Sequence, residues 1–185
     1  MSNSESHSMY YVAIVCPEEL NKIILGFKLW MQEKFGCKVA LKSPAHITLI
    51  PPFWMDTGKE DIILQALHSF ESSEDTIRIE LNGFAHFSNR VLFIDIKPND
   101  PLARVRQEAE EHFFNAPGSS IKKETRPFSP HITIANRDLK PGDFKKAWEH
   151  FSVKQFEESF MAEQISLLRL DEGKWHVVAQ KKWFS

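Results

Sequence analysis

Two four-residue runs share residue types and order: His46-Ile47-Thr48-Leu49 and His131-Ile132-Thr133-Ile134, 85 residues apart. A proline stands just before each, Pro44 in the first and Pro130 in the second. Two imidazoles facing one substrate form an acid–base pair. An ordinary histidine pKa of about 6.5 keeps both protonation states accessible near neutrality. One ring takes a proton from a hydroxyl or water, and the other gives one to a leaving oxygen. Each threonine hydroxyl can donate to a non-bridging phosphate oxygen, so His46, His131, Thr48 and Thr133 are the candidate catalytic set. That chemistry suits in-line cleavage or closure of a phosphodiester beside a ribose hydroxyl. Lys38 and Lys42 precede the first run; Lys122, Lys123 and Arg126 precede the second, and Arg137 follows it. These supply local positive potential. Phe53, Trp54 and Phe128 flank the runs and could stack a base.

The blander readings are weaker. A lone strand histidine is more often structural than catalytic, but two matched in type, spacing and context are not two accidents. No Asp, Glu or Cys stands beside them at ligand spacing, so no metal site is expected. Cys16 and Cys37 read as packing residues. His68, His112 and His150 fall on expected helices as surface or boundary residues, and His86 and His176 have no matched partner. The seven glycines are too scattered for a phosphate loop, and no cofactor is expected.

Period-two alternation on a strand explains the spacing of the two runs. His46 and Thr48 share one face and Ile47 and Leu49 the other; His131 with Thr133 and Ile132 with Ile134 repeat the arrangement. The aliphatics can anchor each strand beneath a helix. Residues 1–8 read as a disordered lead-in and MYYVAIVC (9–16) as a buried strand. Pro17 then opens a helix that stops at Gly36. The strand from His46 is expected to end before Pro51-Pro52, which cannot extend a ladder. A helix follows at about 59–71, then strands at 76–85 and 90–97 joined by a turn. Asp100 is expected to cap a helix with Pro101 at its first position, running to about Phe114. Strand His131–Ala135, a helix over 141–150, and strands near 153–161, 163–170 and 174–183 complete the chain. Strand, helix, strand, helix, strand thus occurs twice, over about 9–86 and 90–161, which indicates an internal duplication and two pseudo-symmetric lobes in one domain over 9–185.

The composition excludes several classes. The 185 residues fit one domain with a sizeable core, 42% hydrophobic, with fifteen Phe and five Trp. No run reaches the roughly 20 apolar residues of a membrane span, and the polar MSNSESHS start has no signal-peptide core. Two cysteines without CxxC spacing fit a reducing cytoplasm. A net charge of −2 argues against bulk nucleic-acid coating but leaves a local basic groove possible.

The paired runs, with RPFSPHITIANR at 126–137, resemble the two-histidine (2H) phosphoesterases, most closely their 2′-5′ RNA ligase-like branch. The resemblance covers about Met9 to Trp183. It implies a duplicated, bilobal α+β fold whose antiparallel sheets line a central groove with helices outside. It implies metal-independent action on 2′,3′-cyclic or 2′-5′ phosphodiester bonds of RNA ends or nucleotides, by a monomer. It makes His46 and His131 the acid–base pair and Thr48 and Thr133 the phosphate ligands, with Phe53, Arg126, Phe128 and Arg137 as candidate substrate contacts. The branch often has Arg five residues after its second histidine; here Asn136 holds that place and Arg137 is one later. The first motif continues as Ile-Pro-Pro-Phe rather than the branch's usual run, which bears on the pocket rim. The alternative function is a non-catalytic module that holds a phosphorylated nucleotide or RNA end.

Overall fold

The computed structural model describes residues 7–116 and 120–184. Most of the expected lead-in (1–6) lies outside them, but His7 and Ser8 already belong to the first strand. Among the described residues, eight strands and four α-helices run in the order β1 (His7–Val15), α1 (Glu18–Phe35), β2 (His46–Asp56), α2 (Glu60–His68), β3 (Ile77–Phe87), β4 (Val91–Ile96), α3 (Asp100–Phe114), β5 (His131–Ala135), α4 (Pro141–Phe151), β6 (Ser159–Ala162), β7 (Gln164–Asp171) and β8 (Lys174–Lys182), with short 3-10 turns at Val39–Lys42 and Thr57–Lys59. No helix among the described residues is long and apolar enough to cross a membrane.

Local signals set the element ends. Gly36 ends α1 in the left-handed region at φ 70°, and its N–H donates to the Gln32 carbonyl. Only glycine takes that conformation without steric cost. The cap of α3 is Asn99 rather than Asp100: the Asn99 side chain accepts from the Leu102 N–H, and Asp100 is the first helical residue. Asp100 sits where its charge still favours the helix start.

The strands form two antiparallel four-stranded sheets, β2-β1-β7-β8 and β5-β4-β3-β6. The lobes do not follow the repeats. The third strand of the first repeat, β3, pairs with β4 and β6, and the first sheet is completed by β7 and β8 from the end of the chain. Each lobe thus borrows strands from the other half of the sequence. The segment expected as a strand over 153–161 is ordered as a strand only from Ser159.

Strand β2 runs on through Pro51-Pro52 to Asp56. Two features admit the prolines. β2 is the edge strand of its sheet, where a missing N–H costs no ladder bond on the open side. Between the pairs Val12–Ile50 and Tyr10–Phe53 the register slips, so the prolines sit in a bulge.

The motif strands β2 and β5 are both edge strands, and they approach each other across the junction of the two sheets. Helix α3 lies near β2 and helix α1 near β5, so each helix covers the other half's motif strand. Ile47, Leu49, Ile132 and Ile134 are essentially fully buried, in one core with Leu102, Val105, Ala109 and Phe113 of α3 and Leu20, Ile24 and Met31 of α1. Each such side chain contributes roughly 1.5–3 kcal/mol. A one-residue slip would turn all four out and the histidines in, so burial fixes which face the histidines occupy.

Candidate active site

His46, Thr48, His131 and Thr133 are all half-buried, alternating with the buried aliphatics. His46 and Thr48 line a cavity of about 360 Å³ with Thr133, Asn136 and Arg137. Thr48 also lines an adjoining cavity of about 400 Å³, together with His131, Phe87, Arg106, Arg126 and Phe128. Thr48 is common to both, so the two cavities form one cleft along the junction of β2 and β5.

The imidazoles are clamped in the same way. His46 Nδ1 lies 2.8 Å from the Pro44 carbonyl and His131 Nδ1 lies 2.7 Å from the Ser129 carbonyl, each two residues back along the chain. A carbonyl only accepts, so Nδ1 carries the proton in both rings. In the neutral ring this leaves Nε2 as the nitrogen with a free lone pair. A carbonyl clamp of this kind fixes both tautomer and ring orientation.

The surroundings of the two rings differ. His46 rests against the Tyr11 ring at 4.8 Å, with the Tyr11 hydroxyl 3.4 Å from Nδ1. Burial holds its pKa down at about 4, the Pro44 carbonyl opposing this and the charges of Lys28 and His131 adding to it. His131 sits between the Phe87 and Phe93 rings, with centroids at 4.9 and 5.0 Å. Burial lowers its pKa too, but the Ser129 carbonyl and the Asp95 carboxylate push it back up. Asp95 is the cross-strand partner of His131 on β4; the matching partner of His46 on β1 is Val15. The pseudo-symmetric site therefore has a carboxylate on one side only.

Arg137 is exposed and lines the His46 cavity, as does Asn136. Phe128 lines the His131 cavity, its ring beneath the Arg106 guanidinium at 5.6 Å. Arg126 reaches the same cavity, with its guanidinium paired to Glu124. Phe53 differs from expectation. Phe53 is only 7% exposed and its ring stacks on Tyr10 on the core side of β2, although it also lines a cavity with its neighbour Trp54, which is 58% exposed. Sequence reasoning missed Tyr11, Asp95, Phe87, Phe93 and Arg106. The first four act across strands, where only register brings them near. Arg106 reads in sequence as an ordinary i,i+4 partner of Glu110, which it is.

Other chemistry has little support here. Burial pushes the Cys16 thiol up to about 12 and the Cys37 thiol to about 11, so neither is a ready nucleophile. Among the described residues, no three His, Cys, Asp or Glu side chains cluster as a metal would need. His112 Nε2 donates to the Ala66 carbonyl at 2.8 Å, and His150 stacks on Trp30.

Comparison with known proteins matches the model of the 2′-5′ RNA ligase superfamily over residues 17–174. A Bacillus subtilis RNA 2′,3′-cyclic phosphodiesterase is 25% identical over 174 residues, 87% of each chain. Escherichia coli LigT, in its crystal structure with 3′-AMP, superposes with a TM-score of 0.67 at 16% identity, covering 97% of this chain and 100% of LigT. A Thermus thermophilus protein superposes at 0.64 with 19% identity, covering 95% and 97%. These structural neighbours share the duplicated two-sheet fold.

Proposed function

Taking as premise that this chain belongs to the 2′-5′ RNA ligase superfamily, we propose that it is a metal-independent phosphodiesterase that opens 2′,3′-cyclic or 2′-5′ phosphodiester bonds of nucleotides or RNA ends. The observation that carries this reading is the mirrored carbonyl clamp, which presents two imidazoles with the same nitrogen free in one cleft. The phosphodiesterase name of the Bacillus subtilis relative points the same way.

In this reading His46 is the base and His131 the acid. His46 is held neutral far below neutrality, as a base must be. Burial lowers the His131 pKa, but Asp95 beside it opposes this, and a bound phosphate dianion or diester opposes it further and favours the protonated ring. Water attacks phosphorus while His46 Nε2 takes its proton. The bond from phosphorus to the ribose oxygen breaks, and His131 Nε2–H protonates that oxygen. Thr48 and Thr133 hydroxyls donate to the non-bridging oxygens, where charge builds. Asn136 and Arg137 line the phosphate side of the cleft, and Phe87 and Phe128, with the Arg106 guanidinium over the Phe128 ring, form a slot for the base beside His131.

The test is a panel of 2′,3′-cyclic nucleotides, 2′-5′ dinucleotides and cyclic-phosphate RNA ends, assayed with wild type, His46→Ala and His131→Ala. Each substitution should lower kcat by about 10²–10⁴ with the fold intact. Full activity in either variant, or binding without product across the panel, defeats the reading.

A further inference from the structure

The cleft does not stop at the histidines. A third cavity, of about 460 Å³, continues from it, sharing Pro51 and Glu124 with the His131 cavity and Pro52 with the His46 cavity. Its walls include Trp54, Lys122 and Lys123. Trp54 is 58% exposed, an unusual place for so large an apolar ring. It is held there by its strand. His46, Thr48, Pro52 and Trp54 lie in turn along the open face of β2, on either side of Ile50, which turns into the core next to the bulge. Ser120 fixes the Trp54 backbone by donating to its carbonyl. At about 3.3 Å per residue, Trp54 stands roughly 20 Å beyond Thr48. The reacting group and an aromatic platform thus share one strand, separated by a fixed length.

The charges identify the occupant. Lys122 and Lys123 are exposed, and neither has an ion-pair partner among the described residues. The one acid in this cavity, Glu124, is taken by Arg126. An exposed ring beside free cations, in a groove leading from a phosphate-handling site, is the arrangement that holds single-stranded nucleic acid without reading its sequence. A cyclic phosphate closes the 3′ end of an RNA, so the rest of such a substrate leaves the site in one direction only, 5′-ward.

We propose that the Trp54 end of β2 is a stacking platform for single-stranded RNA, holding a nucleotide several positions 5′ of the reacting phosphate. The proposal rests on the phosphodiesterase reading and names its preferred substrate as an RNA end rather than a free nucleotide.

Equilibrium binding of a 3′-phosphorylated RNA tetranucleotide and a 3′-phosphorylated mononucleotide tests it. The wild type should bind the tetranucleotide more tightly. Trp54→Ala should weaken the tetranucleotide by roughly 5- to 100-fold and leave the mononucleotide unchanged, and Trp54→Tyr should recover most of the loss. Lys122→Glu with Lys123→Glu should flatten the salt dependence of tetranucleotide binding by about 0.7 in log–log slope for each phosphate that is no longer neutralised. Equal affinity for the two ligands in wild type overturns the proposal, as does a Trp54→Ala variant that weakens both alike or neither. Turnover of a 2′,3′-cyclic mononucleotide by wild type is measured alongside. Its absence counts against the phosphodiesterase reading alone, because the binding comparison still decides this one.

Discussion

Acid should weaken this fold through one identifiable side chain. The buried His46 imidazole has a pKa held at about 4 against an ordinary 6.5. Between those values a proton binds the unfolded chain more readily than the folded one, so stability must rise with pH. The contribution is fully present above 6.5 and is lost as pH falls through about 4. At about 1.4 kcal/mol for each tenfold change in proton affinity, the whole displacement is worth roughly 3 kcal/mol. That is an upper figure, because the ring is half-buried rather than sealed from water. Against a typical total of about 5–15 kcal/mol it is large. His46→Gln carries no titrating proton and removes this dependence while the other histidines keep theirs. Urea unfolding of both proteins at pH 7, 6, 5 and 4 in acetate and chloride isolates the effect. The difference between them should move by up to about 3 kcal/mol in favour of the variant as pH falls. Phosphate buffer should shrink that movement, because an anion beside the ring favours its charged form. Parallel stability curves, or a wild type that gains on the variant at low pH, would show that the ring is not held neutral by burial and would remove the reason for naming it the base.

Three further outcomes are expected. Asp95→Val, which copies the Val15 arrangement onto the second half, should move the alkaline limb of kcat/KM to lower pH and leave the acid limb in place; an unmoved limb would contradict the assignment of His131 as the acid. Asp138 accepts from the Lys38 and Val39 N–H groups, tying the loop after β5 to the segment that leads into β2. Asp138→Ala should cost about 1–3 kcal/mol by chemical denaturation and lower kcat by misplacing His46; unchanged stability would mean that this tie is decorative. Dialysis against EDTA should leave phosphodiesterase activity intact, and loss of activity that returns with a divalent cation would contradict the two-histidine account.

Much of the site could be read from the chain because one rule governs it. Period-two alternation put His46 with Thr48 and His131 with Thr133 on open faces, and the repeated order of elements put the two strands in equivalent places. The same rule would have assigned Phe53 to the core and Trp54 to the surface had β2 been carried through its prolines. A proline pair reads as a strand end, and neither edge position nor a bulge is visible without the partner strand. The crossing of β3 into the second sheet, and the placing of Asp95 beside His131 but Val15 beside His46, depend on which distant strands pair. Pairing partners are long-range choices that local periodicity does not encode. The Asn99 cap was missed by one residue because Asn and Asp are nearly equal N-caps and stand side by side.

The central claim is that both motifs act on one phosphorus atom. A crystal structure with phosphate or a 3′-nucleotide bound tests it most directly. The account predicts one phosphate within hydrogen-bonding distance of Nε2 of both His46 and His131, with the Thr48 and Thr133 hydroxyls on its oxygens. A phosphate held by a single imidazole, with the other ring out of reach, would contradict it.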